Sequence, residues 1–200
     1  MIKNIIFAFG DIFINLDKEA IFREMAHFGF KDLTPEIDAL AKRYEVGEIS
    51  SSNFIAKLNL MFPKATLEKI INAWNSIILD FPEPRLQFIE TLKREGNYRL
   101  FLLSNTNELH IDYVKETIGM PNYNRFKVCF EQFYLSHEIN LRKPDTEIYN
   151  FVLQENGLKA NETFFIDDTK ENTDSAKKIG IYCWHLQVGK EDITDLKTKL

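Results

Sequence analysis

Five short apolar runs with stretches of helical period between them constrain this chain more than any other feature. They occupy residues 5–9, 98–103, 130–135, 163–166 and 181–184. A short run rich in Ile, Leu and Phe that stops at Gly, Ser, Asn or Asp reads as a buried strand. The segments between them carry apolar residues at helical spacing. Leu86, Phe88, Ile89 and Leu92 lie on one face of a helix opened by Pro84 and closed by Gly96. A second helix is expected over 108–118. A third follows Pro144, with Asp145 and Glu147 in its first turn and Gly157 beyond its end. A fourth is expected over 172–179, before Gly180. Strands alternating with helices imply right-handed crossovers and a mostly parallel sheet covered on both faces. In such a sheet ligands sit outside the carboxyl ends of the strands.

Residues 17–81 interrupt the alternation. Ala20, Ile21, Met25 and Phe28 recur at helical spacing through 17–30, and Thr34-Pro35-Glu36 is a helix start with Thr34 as N-cap. Ser51 or Ser52 is expected to cap the next helix, along Phe54, Ile55, Leu58 and Met61. Thr66 and Glu68 open another, along Ile70, Ile71, Trp74 and Ile78. Amphipathic helices without strands between them bury their stripes on one another, which predicts a small bundle. No Pro-, Gly- or Ser-rich linker sets it apart, so it reads as an insertion. The expected division is an α/β core of 1–16 and 82–200 with a helical cap of 17–81.

Two hundred residues, 44% hydrophobic, suffice for one such domain with its insertion. A net charge of −5 gives no global attraction to nucleic acid or to acidic membranes, so neither is expected as a partner. No stretch reaches the ~18 apolar residues of a membrane span, and the N-terminus lacks a signal-peptide core. Cys129 and Cys183 have no metal-ligand spacing and read as free thiols of a reducing compartment. The expected setting is cytoplasmic.

The ends of the runs, or the loops that follow them, carry Gly10 and Asp11, then Ser104 and Asn105, then Lys143, then Asp167 and Asp168. Each is ordinary by itself. Asp11 reads as the first polar residue of a loop, Ser104 or the Asp pair as a helix cap, and Lys143 as a solvated lysine. Their order at successive strand ends is what points to chemistry. Adjacent carboxylates repel one another, and a hard divalent cation with oxygen ligands relieves that repulsion. A lysine and a hydroxyl beside them suit a phosphate. Cation, ammonium and hydroxyl around one anion make a phosphoryl-binding arrangement.

This order and wording resemble the haloacid dehalogenase superfamily, whose members are mostly phosphatases. Leu102-Leu103-Ser104-Asn105 is similar to its second motif, Leu141-Arg142-Lys143-Pro144-Asp145 to its third, and Phe165-Ile166-Asp167-Asp168 to its fourth, with Asn172 and Ala176 following as in many members. The insertion resembles the small helical cap of the capped members. The wording is closest to the branch that includes bacterial sugar-phosphate phosphatases. The resemblance implies a Rossmann-like sheet of order 5-4-1-2-3. It also implies Mg²⁺ held through Gly10, Asp167 and Asp168, and a small phosphorylated substrate held by Ser104, Asn105 and Lys143. A monomer and a homodimer are equally compatible with it.

One position departs from the family. Its nucleophile, an aspartate that forms an aspartyl-phosphate, falls at Ala8, and its acid/base aspartate at Gly10, a glycine that some branches share. Asp11 lies three residues past position 8, and because side chains alternate at a strand end it is not expected to stand in. An inactivating substitution made to trap substrate and natural divergence would both write Ala8. The expectation is a Mg²⁺-dependent phosphatase of small metabolites by lineage, sugar phosphates favoured, impaired as written. The alternatives are a non-catalytic protein that binds a phosphorylated ligand and a 2-haloacid dehalogenase. The second needs no metal, and the Asp167-Asp168 pair argues against it.

Overall fold

In the computed structural model, which describes residues 1–200, the first run forms β1 (Asn4–Phe7). Four helices follow: α1 (Ala20–Met25), α2 (Pro35–Glu45), α3 (Ser51–Met61) and α4 (Leu67–Asn75). Then come α5 (Glu83–Glu95), β2 (Arg99–Ser104), α6 (Glu108–Ile118), α7 (Met120–Lys127), β3 (Gln132–Leu135) and the single turn α8 (Ser136–Ile139). The chain ends with α9 (Thr146–Glu155), β4 (Thr163–Asp167), α10 (Lys170–Lys178), β5 (Tyr182–His185) and a 3₁₀ turn at Ile193–Thr198.

The five strands are all parallel, in the order β3-β2-β1-β4-β5, the expected order read from the other edge. Strand period decides the two faces. Ile5, Phe7, Leu100, Leu102, Phe164 and Ile166 face one side, with Leu86, Ile89 and Leu92 of α5, Ile111 of α6 and Phe126 of α7 packed over them. Ile6, Phe101, Leu103 and Phe165 face the other, under Ile148, Tyr149 and Val152 of α9 and Ala176 of α10. A parallel sheet buried on both faces explains why these runs lack polar alternation.

The helices of 17–81 have an apolar cluster of their own, which includes Phe30, Ile37, Leu40, Phe54, Leu58 and Ile70. Thr34 and Thr66 cap α2 and α4 as expected, their hydroxyls accepting from Ile37 N and Lys69 N. Four details differ from expectation. The helix expected to run along Ile78 ends at Asn75, and Ile78 bridges Leu16 instead. Ser50, not Ser51 or Ser52, caps α3, accepting from Asn53 N. The helix expected over 17–30 is only α1 and a 3₁₀ turn, because Gly29 takes a left-handed conformation and turns the chain. Asp145 is the residue before α9 and makes no capping bond.

Two chain segments join these helices to the sheet. Asn15 and Asp17 donate to Asp80 and Ile77 carbonyls at 2.9 and 2.8 Å, and Leu79 returns a bond to Asn15, so the segments pair antiparallel beside the Leu16–Ile78 bridge.

Candidate active site

The site begins where β1 ends. The Ala8 amide donates to Ile166 O at 2.9 Å, which keeps residue 8 beside β4 for one more step. The chain then turns sharply, with Asp11 N donating to Ile14 O and both Phe13 N and Ile14 N donating to Phe9 O. Asp11 sits at φ 56°, a left-handed conformation that Asp tolerates better than most residues. Gly10 lies close under Leu16, whose Cδ1 would be 2.7 Å from a Cβ at position 10, so a larger residue there would have to displace that side chain. The buried Ala8 methyl contributes neither a donor nor a ligand.

Lys143 and Asp167, 3% and 1% exposed, form the centre of the site. Lys143 Nζ donates to Asp167 Oδ2 at 2.6 Å and to Leu103 O at 2.9 Å, and lies 5.4 Å from the Phe165 ring centroid. Asp167 also accepts from Asn172 Nδ2 on both oxygens at 3.1 Å and from Thr169 N at 2.8 Å. Both buried charges are therefore paired and hydrogen-bonded, as buried ions must be. An ammonium has three donors, so Lys143 keeps one for a ligand.

Asn105 spends both ends of its amide on Lys143, accepting from its N–H at 2.9 Å and donating to its carbonyl at 2.8 Å. It thus clamps the lysine's backbone. The Ser104 hydroxyl reaches only Asn105 O, at 3.3 Å, and such a long bond is easily exchanged for a ligand.

Asp168 differs from Asp167. Its carboxylate meets Lys18 Nζ at 2.7 Å, and the same ammonium meets Asp11 Oδ2 at 2.8 Å. Burial pushes the Asp168 carboxyl up from its ordinary value. Lys18 opposes this, while Asp167 and Asp11 add to it. Burial works against the Lys18 charge, yet Asp11 and Asp168 together hold it above the usual lysine range.

All the strand-end residues except Asp11 open on one cavity of about 590 Å³: Ala8, Gly10, Ser104, Asn105, Lys143, Asp167 and Asp168. Asp11 turns instead to Lys18 and to Leu16 N, which it accepts at 3.2 Å. The inserted helices wall the other side with Lys42 and Glu45, and Glu45 binds Arg142 at 3.1 Å. Burial raises the Glu45 carboxyl, against the pull of Arg142. A smaller chamber of about 230 Å³, with Phe22, Phe30, Ile37 and Leu58 in its wall, shares Lys18, Lys42, Glu45 and Arg142 with the cavity. At the rim His110 stacks on Trp74 at 5.3 Å and bonds its carbonyl through Nε2 at 3.0 Å. Burial pushes this imidazole down to about 4.

Sequence reasoning did not find Lys18, Glu45, Arg142 or His110 as parts of the site. Lys18 stands in a polar stretch with no periodic signal, and Glu45 lies on a charged helix face. Only the third dimension brings them to the strand ends.

The oxygen donors suit a hard cation. Asp168 and Asp11 already hold one between them, the Lys18 ammonium. The bridge between Gly10 and Ile14 uses the Phe9 carbonyl and leaves the Gly10 carbonyl out. No three Asp, Glu, His or Cys side chains form a metal cluster. Mg²⁺ needs no such cluster, since it takes one or two carboxylates and completes its shell with water and substrate phosphate, and Asp168 with the Gly10 carbonyl would be the oxygens open to it.

Comparison with known proteins gives these surroundings relatives. A family profile described as haloacid dehalogenase-like hydrolase matches residues 11–185. The D-ribitol-5-phosphate phosphatase of Bacteroides thetaiotaomicron is 26% identical over 186 residues, 90% of this chain and 89% of that one. The crystal structure of the enzyme bt-2542 from the same species, an aspartate-to-alanine mutant in complex with magnesium and inorganic phosphate, is 34% identical. It covers 96% of each chain with a TM-score of 0.83. A predicted hydrolase of the same kind from Porphyromonas gingivalis is 27% identical, covering 100% of this chain and 98% of that one, also with a TM-score of 0.83.

Proposed function

The chain belongs to the haloacid dehalogenase-like hydrolase family, and on that premise we propose that its cavity is a Mg²⁺-assisted phosphoryl site for small phosphorylated metabolites. Sugar and polyol phosphates are the first candidates, because a relative that aligns along most of both chains is a D-ribitol-5-phosphate phosphatase. The observation that carries the reading is the cavity itself. Lys143, Ser104, Asp168, Gly10 and Ala8 line it together at the carboxyl edge of a parallel sheet.

In this reading Lys143 gives its remaining N–H to a phosphate oxygen, and Ser104 turns its hydroxyl to another. Asp167, Asn172 and Asn105 hold Lys143 in place and do not touch the ligand. Asp168 and the Gly10 carbonyl hold Mg²⁺, and Asp167 belongs to this centre through Lys143. When bound, the ion neutralises charge on the phosphate. The helices of 17–81 act as a cap. Lys42, Glu45 and Arg142 face the organic part of the substrate, and the smaller chamber has room for its far end.

Position 8 is where the lineage carries its nucleophile, and alanine removes the covalent route. The chain as given therefore binds phosphorylated ligands and turns them over very slowly. Titration of the chain with D-ribitol 5-phosphate and inorganic phosphate, by calorimetry with and without Mg²⁺, tests this reading. Saturable binding that Mg²⁺ strengthens and Lys143→Met weakens is expected. Absence of binding for every phosphate monoester tried would remove the proposal. The dehalogenase alternative is not favoured, since the paired carboxylates have no part in a metal-free reaction.

A further inference from the structure

Lys18 occupies the carboxylate that the proposed function gives to Mg²⁺. Its ammonium lies 2.8 Å from Asp11 Oδ2 and 2.7 Å from Asp168 Oδ2. The two carboxylates are almost buried, whereas the lysine side chain is 55% exposed. The anions are thus fixed and the cation sits on a solvated, flexible stem. Asp11 adds a second observation, for it adopts a left-handed φ of 56° and its other oxygen is pinned by Leu16 N at 3.2 Å. A backbone shape usually left to glycine, carrying a carboxylate aimed at one lysine, marks a built contact.

We propose that Lys18 is a tethered counter-ion that competes with a divalent cation for Asp168. With no cation present it joins Asp11 to Asp168. When a cation takes Asp168, the ammonium withdraws and remains on Asp11, which does not line the cavity. Two cations on one carboxylate repel each other, so each weakens the other's hold. Lys18 directly follows the antiparallel pair that carries the inserted helices, so the exchange links cation binding to their attachment. The inference rests on the reading that Asp168 is the cation ligand.

The test measures Mn²⁺ affinity of the full chain by electron paramagnetic resonance, with Mg²⁺ competing. Lys18→Met and Lys18→Gln are expected to bind Mn²⁺ about tenfold more tightly, the size expected for removing one partly solvated charge. Lys42→Met, which removes a lysine from the same cavity but not from Asp168, is expected to stay within about twofold. In chelator both Lys18 variants are expected to melt below the chain as given, and Mg²⁺ is expected to raise their Tm by more. Unchanged or weaker Mn²⁺ affinity in both Lys18 variants would overturn the competition while leaving the cation site standing. Equal tightening by Lys42→Met would reduce it to a general charge effect and overturn it too. If Asp168→Asn binds as tightly as the chain, or if no form binds, the cation reading itself falls and the inference with it.

Discussion

At the scale of residues, the account depends on charges that cannot be removed singly. Lys143 and Asp167 are both buried, and each is the other's counter-ion. Truncating one leaves an uncompensated charge, a loss of about 3–5 kcal/mol. Lys143→Ala is therefore expected to lower unfolding free energy by about 3 kcal/mol in urea titrations, alongside its loss of phosphate binding. A change below about 1 kcal/mol would mean that Asn172 and Thr169 N suffice to hold Asp167. His110 gives a pH dependence. Burial depresses its folded value to about 4 from an ordinary 6.5, so the unfolded chain binds the proton more readily. Its contribution is complete above pH 6.5 and is lost as pH falls toward 4, about 2 kcal/mol of it by pH 5. Stability measured from pH 7 to 5 should fall less steeply in His110→Phe than in the chain as given. Equal slopes would show that another group carries the dependence.

At the scale of elements, the contacts between the inserted helices and the core are few and specific. Asn140 Nδ2 donates to Val46 O at 2.7 Å, Tyr44 accepts from Leu109 N at 3.1 Å, and Trp74 Nε1 donates to Asn107 Oδ1 at 3.3 Å. The turn from α2 to α3 passes so near the core that a Cβ on Gly47, whose φ is 71°, would lie 2.3 Å from His137 O. Gly47→Ala is expected to cost about 2 kcal/mol and to expose amides of α2 and α3 to hydrogen exchange before those of the sheet. Uniform exchange across both regions would contradict such local detachment. These contacts were illegible in the sequence. Helical stripes in Phe54, Leu58 and Ile70 announce that the helices pack, but Gly47 looks like any turn glycine. α7 was hidden as well, since Met120–Lys127 interleaves Pro, Asn and Arg with its core residues Tyr123 and Phe126.

At the scale of the whole molecule, the sheet was legible because a buried parallel strand must be apolar throughout. The runs at Ile5, Leu100, Phe164 and their neighbours could be little else. Their order came from the motif resemblance, and the pairings agree with it. The site was legible to the extent that strand ends converge by topology, which brings Ser104, Lys143 and Asp167 together without any knowledge of side chains. What stayed hidden was the division of labour within it. Asn105 lines the cavity and also clamps the Lys143 backbone, and Asp11 serves Lys18. On the proposed function, residue 8 decides whether the assembled site reacts. Ala8 carries no carboxylate, and Asp11 turns to Lys18 instead. The most direct measurement is phosphate release from D-ribitol 5-phosphate and a sugar-phosphate panel by the chain and by Ala8→Asp, each with Mg²⁺ and with chelator. The account predicts turnover by Ala8→Asp toward at least one ester, abolished by chelator and at least about a thousandfold above the chain as given. Equal rates in the two forms would contradict it, because residue 8 would then not be the position of the nucleophile.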